Sequence, residues 1–182
     1  MMSEDLPQVV LDACVLANHL VCDTLLRLAE QPRLYQPRWS DEIMSESLRT
    51  LRHKLRWPQS LANYFESELQ TNFPEAWVDD YRRWIPKMTN HPKDRHVVAA
   101  AVASESPTIA TLNLRHFKPA DLAPWYVTAV HPQQILIDLL VLHPDIVRAK
   151  LGQQATKRNK SLGTLFATLR TSVPKFVDLL ET

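Results

Sequence analysis

The stretch from 92 to 117 constrains the possible fold more than any other part of the chain. Residues 94–105 are apolar on nearly every side of a predicted helix, which places that helix inside a core rather than at its surface. A short buried strand over 108–112 follows, and a polar loop begins after it. Because strand carboxyl ends and helix starts meet along one edge of a parallel sheet, we expect Asp94 and Asn113 in the same crevice.

Each of these two polar residues also has a purely structural interpretation. Asp94 stands where a carboxylate commonly caps the first turn of a helix. Asn113 is of a residue type that often occupies turns. This segment alone leaves both alternatives open.

Glycine is almost absent, and this narrows the function classes. The 182 residues contain two glycines, Gly152 and Gly163. The first 151 residues therefore lack any glycine-rich phosphate loop, which argues against P-loop ATPases and nicotinamide-dependent enzymes. The formal net charge is +1, so contacts with nucleic acid phosphate would have to come from a local basic patch.

Two further features bear on the compartment. Cys14 and Cys22 match neither a disulfide framework nor a zinc pattern, and we expect two buried thiols in a reducing compartment. The longest apolar run, 97–103, is too short to cross a bilayer, and Met1–Asp5 do not resemble a secretory signal. The sequence therefore predicts a cytoplasmic protein without membrane contact.

The chain order adds two more carboxylates to the crevice. A buried strand over 8–12 ends on Asp12, where an acid is unusual for packing but normal at the carboxyl edge of a parallel sheet. The alternative for Asp12 is a cap on the next helix. A helix that opens at Ser40 carries Glu46 opposite its apolar stripe, although a lone glutamate on such a face is usually a solvated charge.

The secondary-structure pattern alternates between strands and helices up to residue 131. Strands are predicted over 8–12, 33–37, 108–112 and 125–130, and helices over 15–30, 40–55, 59–72, 75–85 and 94–105. The pattern is typical of the α/β class, with a parallel sheet flanked by helices. It predicts one domain over 1–131.

Residues 132–182 show only helical periodicity, with segments beginning near Pro132, Pro144, Ser161 and Pro174. We interpret 132–182 as a C-terminal helical region that packs on the domain or on a partner.

Three carboxylates in one dry crevice would repel one another. Such a cluster persists when it binds a hard divalent cation, and a set of oxygen ligands favours Mg²⁺, or Mn²⁺, over zinc. Asp12, Glu46 and Asp94 are therefore candidate metal ligands.

At these residues the sequence resembles the PIN-domain family, the magnesium-dependent ribonuclease fold of VapC-type toxins. The resemblance covers roughly residues 8–130, and the helical region after it resembles a subgroup with an extra C-terminal helical region. Four segments in the family's order carry the resemblance: Val9–Cys14, Asp41–Leu48, Pro92–Ala101 and Thr111–Phe117.

The resemblance implies that the family's metal site corresponds to Asp12, Glu46 and Asp94, with Glu42 as a rival to Glu46. The fourth family position is often an acid, and here it is Asn113, which could ligate through its carbonyl oxygen or position a water.

Many relatives carry another acid three residues beyond that position, where this chain has His116. His116 is a candidate phosphate contact or general acid. Arg49, His53 and Arg115 are candidate RNA contacts.

The activity implied by the resemblance is hydrolysis of RNA phosphodiester bonds by a metal-activated water. The chain would then be the toxin of a type II toxin–antitoxin pair, with a cognate antitoxin protein as partner and a homodimeric assembly. The alternative is a catalytically weak or inactive PIN-like module that binds RNA or protein, which the amide at Asn113 favours. A DNA-acting, structure-specific nuclease is a third interpretation.

Overall fold

The computed structural model describes residues 6–182. Met1–Asp5, on which the expected absence of a secretory signal rests, lie outside the described residues. None of the helices in 6–182 is long and apolar enough to cross a membrane.

A parallel sheet of four short strands forms the centre of the fold. The strands are β1 (Gln8–Leu11), β2 (Gln36–Arg38), β3 (Thr108–Ala110) and β4 (Thr128–Val130). Their spatial order is β2-β1-β3-β4, and every pairing is parallel. The strand order reverses between β1 and β3, and in open α/β sheets such a reversal opens a crevice at the carboxyl ends of the strands.

Helices cover the sheet and continue beyond it. They are α1 (Ala13–Leu16), α2 (His19–Ala29), α3 (Asp41–His53), α4 (Gln59–Asn72), α5 (Arg95–Ala103), α6 (Pro119–Leu122), α7 (Pro132–Leu142), α8 (Pro144–Lys157), α9 (Leu162–Leu169) and α10 (Pro174–Leu180). Short 3₁₀ turns span Pro74–Ala76, Tyr81–Lys87, Pro92–Asp94, Leu114–His116 and Ala123–Trp125. The predicted α/β class, with a parallel sheet, flanking helices and a C-terminal helical extension, is confirmed.

Several local predictions were wrong in their boundaries. The strands are shorter than predicted, and the second begins three residues later than predicted, at Gln36. The helix predicted over 15–30 is two helices, because Asn18 caps α2 by accepting a hydrogen bond from the Val21 N–H. The helix predicted over 75–85 is two 3₁₀ turns with extended chain between them, and a proline lies in each turn.

Helix α5 lies in the core. Residues 96–101 are all buried, as its apolar sequence predicts. The helix packs against β1, β3 and the 3₁₀ turn at Tyr81–Lys87. Its N-terminus is consequently fixed at the edge of the sheet where β1 and β3 end.

The C-terminal helices pack on the sheet domain, chiefly through α8 against α2. Lys150 of α8 is 6% exposed, and its ammonium group donates to the carbonyl oxygens of Arg27, Glu30 and Gln31 near the end of α2. Thr24 Oγ1 donates to Gln154 Oε1 at 3.0 Å in the same interface. One apolar core therefore runs continuously from the sheet into this region.

Candidate active site

A cleft of about 850 Å³ opens at the carboxyl edge of β1 and β3. Six of the residues singled out in the sequence line it: Asp12, Glu46, Asp94, Asn113, Arg49 and His53. The side chains come from two strand ends, from α3 and from the turn before α5, so only the folded chain brings them together.

Asp12 directly follows β1 and is 4% exposed. Its Oδ1 accepts a hydrogen bond from the Ala13 N–H at 2.7 Å, so the residue does cap α1. Its Oδ2 accepts from Thr111 Oγ1 at 2.7 Å and from Cys14 Sγ at 3.2 Å. These three bonds leave a lone pair for a further partner, since a carboxylate has about four acceptor positions. The cap and the ligand interpretations of Asp12 are therefore compatible.

Burial raises the pKa of the Asp12 carboxyl. The hydrogen bonds from Thr111, Cys14 and Ala13 act in the opposite direction, and the charge of Asp94 raises the pKa further. Asp94 is thus close enough for its charge to disfavour ionisation of Asp12.

Glu46 reaches the cleft from α3, with 35% of its side chain exposed. Its Oε2 lies 3.4 Å from Nε2 of His96, a buried residue of α5, which is an ion-pair distance rather than a well-aligned hydrogen bond. Burial lowers the pKa of His96, but the carboxylates of Glu46, Glu42 and Asp12 outweigh burial and raise it overall. His96 is therefore protonated more readily than an unperturbed histidine.

Glu42 and Glu46 differ in their surroundings. Glu46 lines the cleft, whereas Glu42 lies one turn earlier in α3, with its Oε2 3.3 Å from the Tyr81 hydroxyl, which donates to Asp41 Oδ1 at 2.6 Å. The geometry favours Glu46 of the two rivals.

Asp94 occupies the N-cap position of α5, but its side chain makes no capping hydrogen bond. Its Oδ2 lies 2.8 Å from His116 Nδ1 and 3.3 Å from His91 Nδ1. The capping interpretation of Asp94 is therefore wrong, because the carboxylate turns away from the helix and towards the cleft.

Asn113 makes hydrogen bonds to three residues of the segment that follows β3. Its backbone N–H donates to Thr111 Oγ1 at 3.0 Å, which orders the turn after β3. Its Oδ1 accepts from Arg115 Nε at 3.0 Å, and its Nδ2 lies 2.7 Å from His116 Nδ1. Asn113 is thus a turn residue whose side chain also contacts two of the candidate phosphate contacts.

Sequence reasoning missed three residues of this region: His91, His96 and Thr111. The position of Thr111 after a buried strand gave a usable signal, because it parallels that of Asp12. His96 lies in an apolar run and gave no sign of its ion pair with a residue 50 positions earlier. The stacking of His91 on His116, with ring centroids 3.9 Å apart, depends on a loop geometry that the sequence does not encode locally.

The oxygen atoms in the cleft suit a hard divalent cation. Within 6–182, neither Glu46 Oε1 nor Asp94 Oδ1 makes a hydrogen bond, and Asp12 Oδ1 has an acceptor position to spare. Free carboxylate oxygens facing one cleft are the donor set that Mg²⁺ and Mn²⁺ prefer. The oxygen ligands are therefore of the type that the expected cation prefers, but the ligand atoms of Asp12, Glu46 and Asp94 do not all lie within 4.8 Å of one another in 6–182.

Comparison with known proteins gave one partial match. Over 74 residues the chain is 42% identical to a Mycobacterium tuberculosis protein described as "Putative ribonuclease VapC50". The match covers 41% of this chain and 44% of that protein, so the chain spans less than half the length of its curated relative. No protein-family model matches the chain. No solved structure matches it significantly.

Proposed function

We propose that this protein is a magnesium-dependent endoribonuclease and the toxin of a type II toxin–antitoxin pair. The observation that carries the proposal is the convergence of Asp12, Glu46 and Asp94 on one cleft whose wall is basic. The similarity of part of the chain to a VapC protein supports RNA as the substrate class.

Asp12, Glu46 and Asp94 would hold the cation, and Mn²⁺ would fit the same oxygen ligands. When bound, Mg²⁺ supplies an activated water and offsets negative charge on the phosphate oxygens. Asp12 is the most deeply buried of the three acids, and its Oδ1 would offer the cation the acceptor position that the Ala13 N–H does not occupy.

The basic residues would position the RNA. Arg49 and His53 lie one turn apart on α3 and line the cleft beside Glu46, where they can contact phosphates. Arg115 lies in the loop after β3, where its Nε donates a hydrogen bond to Asn113 Oδ1. His116 Nε2 makes no hydrogen bond within the described residues and would supply a proton to the leaving oxygen.

One observation favours the alternative, a PIN-like module that binds RNA or protein without cleaving it. Both polar atoms of the Asn113 side chain are engaged with Arg115 and His116, so the fourth family position offers less to a cation than an acid would. Against it, a binding role alone gives no reason to keep Asp94 where its charge disfavours ionisation of Asp12 in the same cleft.

The toxin interpretation carries proposals about partners and location. We expect a cognate antitoxin to occupy the cleft and block it, the toxin to be a homodimer, and the pair to act in the cytoplasm. RNA phosphates and the antitoxin would then compete for the basic side chains that line the cleft, among them Arg49 and His53.

A cleavage assay tests the function. Purified protein is incubated with total RNA in chelator or in millimolar Mg²⁺, beside Asp94→Asn and the matched control Asp145→Asn, which removes an exposed acid from α8. We expect cleavage with Mg²⁺ in the wild type and the control but not in Asp94→Asn. RNA binding without cleavage in every sample would instead support the binding module.

A further inference from the structure

A second cavity, of about 300 Å³, adjoins the cleft that holds the carboxylates. Asn18 and His19 line both cavities, so the two meet at the start of α2. The other residues that line the second cavity come from α2, from the loop that joins α8 to α9, from α9 and from the turn after α9. A ligand that leaves the cleft past His19 therefore reaches the C-terminal helical region.

The charged side chains of the second cavity are basic. Within 6–182, Arg158 and Lys160 line it and no carboxylate does. Lys160 is exposed, and its ammonium group makes no hydrogen bond or ion pair with the described residues. Arg158 pairs with Asp23, but Asp23 also pairs with Arg27, so one negative charge faces two guanidinium groups. The lining of the cavity therefore keeps a net positive charge, which attracts phosphate.

Contacts within the protein orient the Arg158 side chain. Its Nε and Nη2 lie 2.9 Å and 2.8 Å from Asp23 Oδ2, and Nη2 lies 3.2 Å from His19 Nε2. Its Nη1 makes no hydrogen bond within the part of the chain that the structure describes. A guanidinium group that is already oriented loses less rotamer freedom on binding a phosphate than an unconstrained side chain loses.

The second cavity also combines an apolar interior with polar groups nearer the solvent. Buried apolar side chains line it, namely Val21, Leu165 and Leu169. Hydroxyl groups line it where the chain is exposed or half-buried, namely those of Thr168, Thr171 and Ser172. An unpaired nucleobase has two apolar faces and a polar edge, so it matches such a lining, whereas the bases of a duplex are stacked and paired.

His19 lies where the two cavities meet. The residue is exposed, and an edge-to-face contact with Trp57, at 5.5 Å between ring centroids, orients its imidazole. Aromatic rings in basic grooves serve as stacking platforms for unpaired bases. The path from the cleft to the second cavity therefore offers both a ring for bases and cations for phosphates.

We propose that the second cavity is a nucleotide subsite for single-stranded RNA that is bound in the cleft. Lys160 and Arg158 contact the phosphate, and the apolar interior receives an unpaired base. This inference rests on the proposed function, which makes RNA the ligand, and it gives the C-terminal helical region a role in holding the substrate. An acidic protein segment would also be attracted by the two cations, but an acidic side chain does not fill an apolar cavity.

RNA binding in chelator tests the subsite without cleavage. Single-stranded RNAs of about 4 and about 12 nucleotides are titrated against the wild type, against Lys160→Gln and against the control Lys175→Gln, which removes an exposed lysine from α10. We expect the wild type and the control to prefer the longer RNA equally. Lys160→Gln should lose about fivefold of that preference at about 0.1 M salt, which is the contribution of one phosphate contact. The same preference in all three proteins would overturn the proposal.

Crosslinking tests where the base lies. One thiouridine is moved from position to position along the longer RNA, and mass spectrometry maps the protein segment that each position reaches after irradiation. We expect one position to crosslink within 158–172, and a duplex of the same sequence to lose this crosslink because its bases are paired. Crosslinks confined to the cleft, or equal crosslinking of the duplex, would overturn the subsite.

The cleavage assay separates this inference from the proposed function. With Mg²⁺, we expect Lys160→Gln to raise the KM for the longer RNA about fivefold relative to Lys175→Gln. Cleavage with equal KM in the two variants would overturn the subsite and leave the proposed function standing. Absence of cleavage, with RNA binding in chelator that still depends on Lys160, would contradict the proposed function and support the subsite. A polyglutamate peptide that binds through Lys160, while RNA binding does not, would overturn RNA as the occupant.

Discussion

Asp94 Oδ2 lies 2.8 Å from His116 Nδ1, a residue 22 positions further along the chain, while the helix that begins next to Asp94 receives no hydrogen bond from its side chain. A carboxylate at an N-cap normally serves the helix. Here it faces the loop after β3, so its charge belongs to the cleft and helps to set the electrostatics there.

Asp94→Asn should be at least as stable as the wild type in chelator, because it removes one charge from a repelling cluster. The gain should be on the order of 1 kcal/mol. The variant should lose most of the melting-temperature rise caused by Mg²⁺, since ligand stabilisation follows the ratio of metal concentration to dissociation constant. Thermal melting in chelator and in millimolar Mg²⁺ measures both. Equal Mg²⁺ shifts in the two proteins would remove Asp94 from the metal site.

Glu46→Gln and Glu42→Gln form a matched pair on one helix. We expect Glu46→Gln to lose Mg²⁺-dependent stabilisation and RNA cleavage, because its carboxylate lines the cleft. Glu42→Gln should keep both, since Glu42 does not line the cleft and the Tyr81 hydroxyl keeps its acceptor on Asp41. Melting curves with Mg²⁺ and a cleavage assay check the pair, and the reverse pattern would make Glu42 the ligand.

Arg49→Ala should weaken RNA binding and lower the slope of log affinity against log salt by about 0.7, the value for one phosphate contact on a single strand. Arg52→Ala is the control, because Arg52 lies on the same helix outside the cleft. Filter binding or anisotropy at several salt concentrations gives the slopes. An unchanged slope in Arg49→Ala would exclude this phosphate contact.

Lys150→Met should destabilise the protein by about 2–3 kcal/mol, because three carbonyl oxygens near the end of α2 lose their buried donor. The melting temperature should fall by about 5–10 °C. Lys157→Met, an exposed change on the same helix, should have little effect. If both variants have the melting temperature of the wild type, α8 does not depend on Lys150 for its docking.

Deletion of 132–182 should have a larger effect than Lys150→Met and promote aggregation, because it exposes the apolar core that the sheet domain and the C-terminal helices share.

Acid should selectively weaken the contact between α2 and α8. Partial burial lowers the pKa of His19 below 6.5, the nearby charge of Arg158 lowers it further, and Asp23 opposes both. As pH falls below 6.5, the unfolded chain binds a proton at His19 before the native protein does, so native stability is lost. Urea unfolding from pH 7.5 to pH 5 should show a shallower loss for His19→Gln than for the wild type. The control His143→Gln should follow the wild type, and identical curves for all three would show that His19 does not contribute.

The sequence by itself determined the class of the fold and the positions of its acids. Buried apolar runs, caps and prolines are local signals, so the parallel sheet and the helix starts at Pro132, Pro144 and Pro174 could be predicted. Asp12 and Asn113 were found because each follows a buried strand, and parallel strands end at a common edge. The same local signals misjudged 75–85, where prolines and packing favour 3₁₀ turns over a helix.

Only the tertiary structure decided which groups face each other across the cleft. The approach of Glu46 to His96 depends on the rotation of α3 against α5, and the stacking of His91 on His116 depends on how two loops meet. Packing in the core sets these relationships between residues that are distant in the chain, and no short sequence window contains them. For the same reason, the sequence left open a helix-cap role for Asp94, whereas in the folded chain its side chain makes no capping hydrogen bond and lines the cleft.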